Sequence, residues 1–224
     1  MERTIIFDFD GTVCLGDGPA LEYARGVADA HPSLADLEHR VARHLAGDAL
    51  AEFAGAVDGY QAVQGAASAA GVDPARIAAA FGGARRRLAE EGLGVHAPAG
   101  FAAFARDLRE RGARLLLVTN APGEGLDSIL ALLGIDACFD RVIADAGKPG
   151  GMHAVLDDIA GEASTVLSIG DIWVNDLSVP HRRGAATALI DGHGNQPGTP
   201  DVRVRAMPDL YMWVQRWIEG ATGA

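Results

Sequence analysis

Four apolar runs in this chain lead, at or soon after their carboxyl ends, into polar residues, and that repetition constrains the fold more than any other feature. The run Thr4 to Phe9 leads into Asp8-Phe9-Asp10-Gly11-Thr12, and Arg114 to Thr119 ends in Thr119-Asn120. Lys148 follows a short run over Arg141 to Ala144, and Thr165 to Ile169 leads into Gly170-Asp171 with Asn175-Asp176 behind it. A fifth run covers Ala186 to Ile190. Helical patterns separate the later runs: Gly100 to Arg111 with Phe101, Phe104, Ala105 and Leu108 on one face, then Leu126 to Leu133, then Met152 to Ile159. This alternation predicts an α/β fold, a Rossmann-like parallel sheet with helices on both faces. Ligands of open parallel sheets bind outside the carboxyl ends of the strands. The polar clusters are thus expected to converge, although they span about 170 positions of sequence.

From Gly18 to about Gly94 the texture changes. Alanine dominates, strand-like runs disappear, and helical spacings recur, as in Leu34, Leu37, Val41 and Leu45. Gly47-Asp48, Gly71-Val72-Asp73-Pro74 and Gly92-Leu93-Gly94 read as helix stops and starts. The expected organisation is core at 1–14, an inserted α-helical cap domain of about four helices at 15–95, and core again at 96–224. A last helix, Pro208 to Glu219, carries Leu210, Trp213, Val214, Trp217 and Ile218 at helical spacing, which fits docking on a core.

Composition removes several function classes. The net charge of −11 argues against broad nucleic-acid binding, which needs a basic face. No apolar run reaches the roughly 18 residues of a membrane span, and Met1 to Phe7 lacks the pattern of a signal peptide. Two cysteines, Cys14 and Cys138, make no disulfide framework. A cytoplasmic protein is expected, without nucleic-acid or membrane partners; the sequence leaves its oligomeric state open. Lys148 is the only lysine in the chain.

Convergence of the clusters would gather Asp8, Asp10, Asp171 and Asp176. Unpaired, these carboxylates would repel and raise one another's pKa values. A hard divalent cation relieves the conflict, and Mg²⁺ is the common choice where phosphate is also bound. Lys148 and the Thr119 hydroxyl would supply charge and hydrogen bonds to phosphate oxygens. An acidic cluster, a cation and an anion-binding pair together make a phosphoryl-transfer site.

In order along the chain, Asp8-Phe9-Asp10-Gly11-Thr12, Thr119-Asn120, Lys148-Pro149 and Gly170-Asp171-Ile172-Trp173-Val174-Asn175-Asp176 resemble the four motifs of the haloacid dehalogenase-like (HAD) superfamily. The helical insert after the first motif resembles the family's helical cap. The resemblance implies that Asp8 is the nucleophile that becomes an aspartyl phosphate. Asp10 would protonate the leaving alcohol and then activate water. Strand alternation would turn both side chains to one side. Thr119 and Lys148 would hold phosphoryl oxygens, Asn120 would assist, and Gly11 would let the backbone approach the phosphoryl group. Asp8, the backbone carbonyl of Asp10, and Asp171 would bind Mg²⁺, with Asp176 serving directly or through water.

The implied reaction is hydrolysis of a small phosphorylated metabolite. Dehalogenating relatives typically replace the second aspartate of the first motif, and Asp10 is present here. Phosphonate-cleaving relatives use a cap lysine, and this insert has none. A sugar-phosphate mutase and a phospho-ligand regulator are the alternatives. Substrate choice is expected to reside in the insert and its crossings, Cys14 to Pro19 and Leu93 to Pro98. His96 would face substrate or serve as a hinge. Arg85, Arg86 and Arg87 would reach a substrate anion or form a solvated helix face, and Tyr60, Gln61 and Gln64 would line the pocket. Two departures from relatives stand out: Gly150-Gly151-Met152 after Lys148-Pro149, and Leu177-Ser178-Val179-Pro180 after Asp176.

Overall fold

The computed structural model describes residues 2–159 and 161–220; the outermost positions of the expected core, Met1 and 221–224, lie outside them. The described strands are β1 (Arg3–Phe7), β2 (Ala113–Val118), β3 (Arg141–Ile143), β4 (Val166–Gly170), β5 (Ala186–Ile190) and β6 (Val202–Val204). They form one sheet in the order β3-β2-β1-β4-β5-β6, every pairing parallel. This is a doubly wound α/β sheet whose order reverses between β1 and β4, the point where such sheets open a crevice at their carboxyl ends.

The central strands are apolar on both faces, as burial on both sides requires. In β1, Ile5, Ile6 and Phe7 are buried, and in β2 the run Leu115 to Val118 is buried throughout. β1 has β2 on one side and β4 on the other, with Ile6 opposite both Leu116 and Ser168. Helix α5 (Phe101–Glu110) seals one face: the Phe101 ring meets Phe7 edge-on at 5.5 Å, and Phe139 packs against both rings. The C-terminal helix α9 (Tyr211–Ile218) docks as its spacing predicts, with Val214 and Trp217 buried. Tyr211 stacks on Phe104 at 4.1 Å, and Arg3 lies over the Trp217 ring. Helices α6 (Leu126–Leu132), α7 (Met152–Asp157) and α8 (Ser178–Arg182) complete this part of the chain.

β6 has no counterpart among the predicted strands. Its three residues include a central arginine and lie between Asp201 and Arg205, too short and polar for alternation to reveal. The strand is held from outside. Thr187 donates its N–H and hydroxyl to Asp201, both at 2.8 Å, while Arg203 donates to the buried Asp191 at the end of β5.

The chain divides into two compact units, Met1–Leu15 with His96–Ala224, and Gly16–Val95. The second is all helical: α1 (Gly18–Ala30), α2 (Leu37–Leu45), α3 (Gly59–Ala69) and α4 (Pro74–Glu91), with two short 3₁₀ turns. Asp58 and Asp73 cap α3 and α4 by accepting the amides of Gln61 and Ala75, each at 2.7 Å. Pro74 occupies the first turn of α4, and left-handed Gly92 ends it. Small residues let α1 and α4 pack closely, since a methyl at Gly26 would sit 3.2 Å from the Ala80 methyl. Tyr23, Val27, Leu37, Val41, Phe53 and Val63 form the centre of this unit's own core. No described helix is long and apolar enough to cross a membrane.

Phe7→Ala is expected to remove about 3–5 kcal/mol from the sheet unit, the usual cost of truncating a fully buried phenylalanine. Urea unfolding followed by tryptophan fluorescence measures it.

Candidate active site

The reversal between β1 and β4 places the first and last polar clusters side by side. Asp8 follows β1 directly, and its N–H donates to Ile169 O at 2.9 Å, continuing the ladder one residue past the strand. The chain then turns instead of running extended to Phe9. The Phe9 carbonyl accepts from Thr12, Val13 and Cys14 at 3.2, 3.0 and 2.9 Å, while Gly11 N–H donates to Cys14 O at 2.9 Å. Asp10 lies in this turn, half-buried, so loop geometry and not strand alternation fixes its place.

Gly11 has a structural requirement that differs from the expected one. Its φ is +83°, and a Cβ there would overlap the Asp171 carboxylate. Thr12, fully buried, donates its hydroxyl to Asp171 Oδ1 at 3.4 Å. The first loop therefore packs directly against the carboxylate that follows β4.

Asp176 is held from three sides. Beyond Asp171 the chain makes one π-helical turn, Trp173–Leu177, which turns Asp176 back toward the strand end. Its Oδ2 accepts Ile172 N–H at 3.0 Å, and its carbonyl accepts the Ser168 hydroxyl at 2.8 Å. Gly170 lies so close that any Cβ would overlap the Asp176 side chain. Ser168 is a lone polar residue in the apolar run Leu167-Ser168-Ile169, a signal that sequence reading passed over. The Leu177-Ser178-Val179-Pro180 departure has a packing reason: Leu177 and Val179 are buried, and Ser178 donates to Val174 O at 2.8 Å.

Lys148 reaches this cluster from the loop after β3. Its ammonium donates to Asp8 Oδ1 and, at 2.7 Å, to Asp176 Oδ1, with the lysine side chain only 4% exposed. Oxygens of Asp8, Asp171 and Asp176 lie within 4.8 Å of one another. Burial opposes the lysine charge, but the charges and hydrogen bonds of Asp8 and Asp176 outweigh it and hold the ammonium above its ordinary pKa. Asp176 is pushed up to about 7, first by burial and then by the Asp8 charge, which Lys148 offsets only in part. Three carboxylates against one ammonium leave a formal charge of −2, and oxygen donors of that charge suit a hard divalent cation.

The second and third clusters are laced together. Ala146 N–H donates to Thr119 O, and Asp145 N–H to Ala121 O, both at 2.9 Å. Thr119 is buried, and its Oγ1 accepts Ala121 N–H at 2.9 Å, which leaves the hydroxyl proton to donate elsewhere. The Asn120 side chain, expected at the phosphate, bonds the Lys148 backbone at both its ends. Gly151 follows from a close approach, since a Cβ there would overlap the Ala146 carbonyl.

His96 is exposed, and its backbone pairs with Leu15 through two 2.9 Å bonds. Tyr60 packs with Tyr23 and Phe81 inside the helical unit. Gln61 serves the start of α3, accepting Val57 N–H at 3.4 Å, and Gln64 is exposed. Arg86 is exposed and Arg87 binds Glu22 and Glu91. Arg85 departs from the expected solvated face, for it is 4% exposed within the helical unit.

A family model for haloacid dehalogenase-like hydrolases matches residues 2–179. No curated protein matches the sequence. Solved structures share the fold at low identity. A protein of Bacillus subtilis assigned as a HAD-hydrolase, bound to magnesium, is 19% identical at a TM-score of 0.67, over 96% of this chain and 99% of that one. A predicted phosphoglycolate phosphatase of Haemophilus somnus is 19% identical at 0.68, over 96% and 98%. The L-2-haloacid dehalogenase of Xanthobacter autotrophicus is 17% identical at 0.60, over 96% and 99%.

Gly11→Ala is expected to displace Asp171 and to destabilise the sheet unit by about 1–3 kcal/mol. Thermal melts with and without a divalent cation should show a lower midpoint and loss of any cation-induced rise.

Proposed function

The chain belongs to the haloacid dehalogenase-like hydrolase family, and we propose that within it this protein is a Mg²⁺-dependent phosphomonoester hydrolase acting on a small phosphorylated metabolite. The observation that carries the reading is the Lys148 ammonium bonded to both Asp8 and Asp176 beside Asp171. Such a site combines a nucleophilic carboxylate, a buried cation for phosphoryl oxygens and an acidic set suited to a divalent metal.

In this reading an oxygen of Asp8 attacks phosphorus and the bond to the leaving alkoxide breaks. Asp10 gives that alkoxide its proton. An aspartyl phosphate stands on Asp8. Asp10, now a carboxylate, takes a proton from the water that attacks phosphorus, and the bond from phosphorus to Asp8 breaks. The products are an alcohol and inorganic phosphate, and both carboxyl groups return to their starting states. The Thr119 hydroxyl donates to a phosphoryl oxygen, since its own oxygen already accepts Ala121 N–H. Lys148 neutralises a second oxygen and holds Asp8 Oδ1 by a hydrogen bond. Asp8, Asp171 and the Asp10 carbonyl would hold Mg²⁺, with Asp176 serving directly or through water. Bound there, the ion would offset negative charge on the phosphoryl group. Asp10 favours phosphoryl chemistry over dehalogenation, which attacks carbon and needs no acid for an alkoxide leaving group.

Phosphate release from a panel of small phosphate esters, with Mg²⁺ or with EDTA, tests this reading, and halide release from 2-haloacids is the competing assay. Metal-dependent phosphate release is expected, falling about 10³-fold or more in Asp8→Asn. Halide release without phosphate release would overturn it. Asp10→Asn should slow alkyl phosphates by about 10²-fold or more while sparing p-nitrophenyl phosphate, whose leaving group needs no proton. Equal losses on both substrates would remove Asp10 from the acid role.

A further inference from the structure

We infer that Asn120 is a positioning residue for Lys148 and does not bind substrate through its side chain. This deepens the phosphatase reading and rests on it for the kinetic consequence alone. Asn120 is exposed, so apolar packing does not explain its placement. Its amide oxygen accepts Lys148 N–H at 2.7 Å, and its amide nitrogen donates to Lys148 O at 3.1 Å. Both backbone polar groups of one residue are thus held by both ends of one side chain, as in a single rung of strand pairing.

The local sequence explains why such a clamp is needed. Lys148 stands between Gly147, whose φ is +66°, and Pro149, with Gly150 and Gly151 following. Three glycines close to the lysine leave the backbone many conformations, and a proline supplies no N–H to fix it. The lysine side chain must nevertheless deliver its ammonium to Asp8 and Asp176 together. The remaining stitches between the two loops fix Asp145 and Ala146 and stop short of Lys148: Ala146 to Thr119, Asp145 to Ala121, and Gly123 to the Asp145 carboxylate at 3.1 Å. Asn120 extends the same lacing to the functional residue and so sets the direction in which its side chain leaves the backbone. It couples the second polar cluster to the third, so that Thr119 and Lys148 move as one piece.

Because Lys148 is the only lysine, the chain carries its own reporter. Protein labelled with ¹³C,¹⁵N-lysine gives one side-chain signal, and circular dichroism checks the fold of each variant. Asn120→Ala should shift that signal toward free lysine and speed exchange of the ammonium protons. Asn120→Asp should do the same, because it keeps the acceptor for Lys148 N–H but sets a carboxylate oxygen against Lys148 O. An unchanged lysine signal in both folded variants would overturn the inference.

Kinetics supply the second arm. Asn120→Ala should lower kcat/KM about 10- to 100-fold, yet change it less than about twofold in a Lys148→Ala background, since the residue acts through the lysine. An equal loss in both backgrounds would place Asn120 on the substrate and sink the proposal. If the wild-type protein releases no phosphate, the hydrolase reading fails, and the lysine signal still decides the role of Asn120.

Discussion

One ammonium buried between two carboxylates organises this molecule's chemistry. Ions taken from water lose several kcal/mol of solvation each, and mutual attraction restores it only when geometry is tight and the remaining lone pairs are bonded. The surroundings of Lys148 meet that condition. Asp176 accepts from Ile172 as well as from the lysine, and Ser168 holds its carbonyl. Asp8 is tied by its amide to β4. With one cation against three carboxylates the balance stays negative, and burial and the Asp8 charge raise Asp176 accordingly. The arrangement is poised to accept positive charge. Gly11 and Gly170 belong to the same constraint, because each yields its side-chain volume to a carboxylate.

The residues of the site were legible because polar groups at the ends of apolar runs stand out, and parallel topology tells where they must meet. Asp8, Lys148 and Asp176 join as convergence requires. The same reading saw β1, β2, β4 and β5 to within one or two residues, since both faces of a central strand are apolar. β6 escaped it because three residues with a central arginine show no period, and its stabilisation comes from Asp191 and Asp201 outside the strand. The purposes of individual residues were harder to foresee than their membership. Gly11 reads as room for a ligand and proves to be room for Asp171 as well. Asn120 reads as a phosphate ligand, yet its amide reaches a backbone 28 positions away. Pairings of that kind depend on which loops adjoin, and a linear pattern does not encode them. Arg85 illustrates the limit in the helical unit: three consecutive arginines look alike in sequence, while the turn of α4 buries one, exposes the next and pairs the third.

The position of β1 has a consequence for how the chain comes to exist at all. This strand precedes both of its neighbours in sequence, yet it lies in the middle of the sheet, and those neighbours begin at Ala113 and Val166. Until they emerge, a run of Ile5, Ile6 and Phe7 has both hydrogen-bonding edges vacant and no partner to cover them, the condition under which nascent segments aggregate. The helical unit, with contacts local in sequence and a core of its own, can consolidate during that wait. Asp8 then meets Lys148, 140 positions later, only when translation has passed the helical unit, β2 and β3. The buried ion pair is in this way withheld from nascent products that end before Lys148, and the order of synthesis sets when the Asp8 carboxylate gains its ammonium partner.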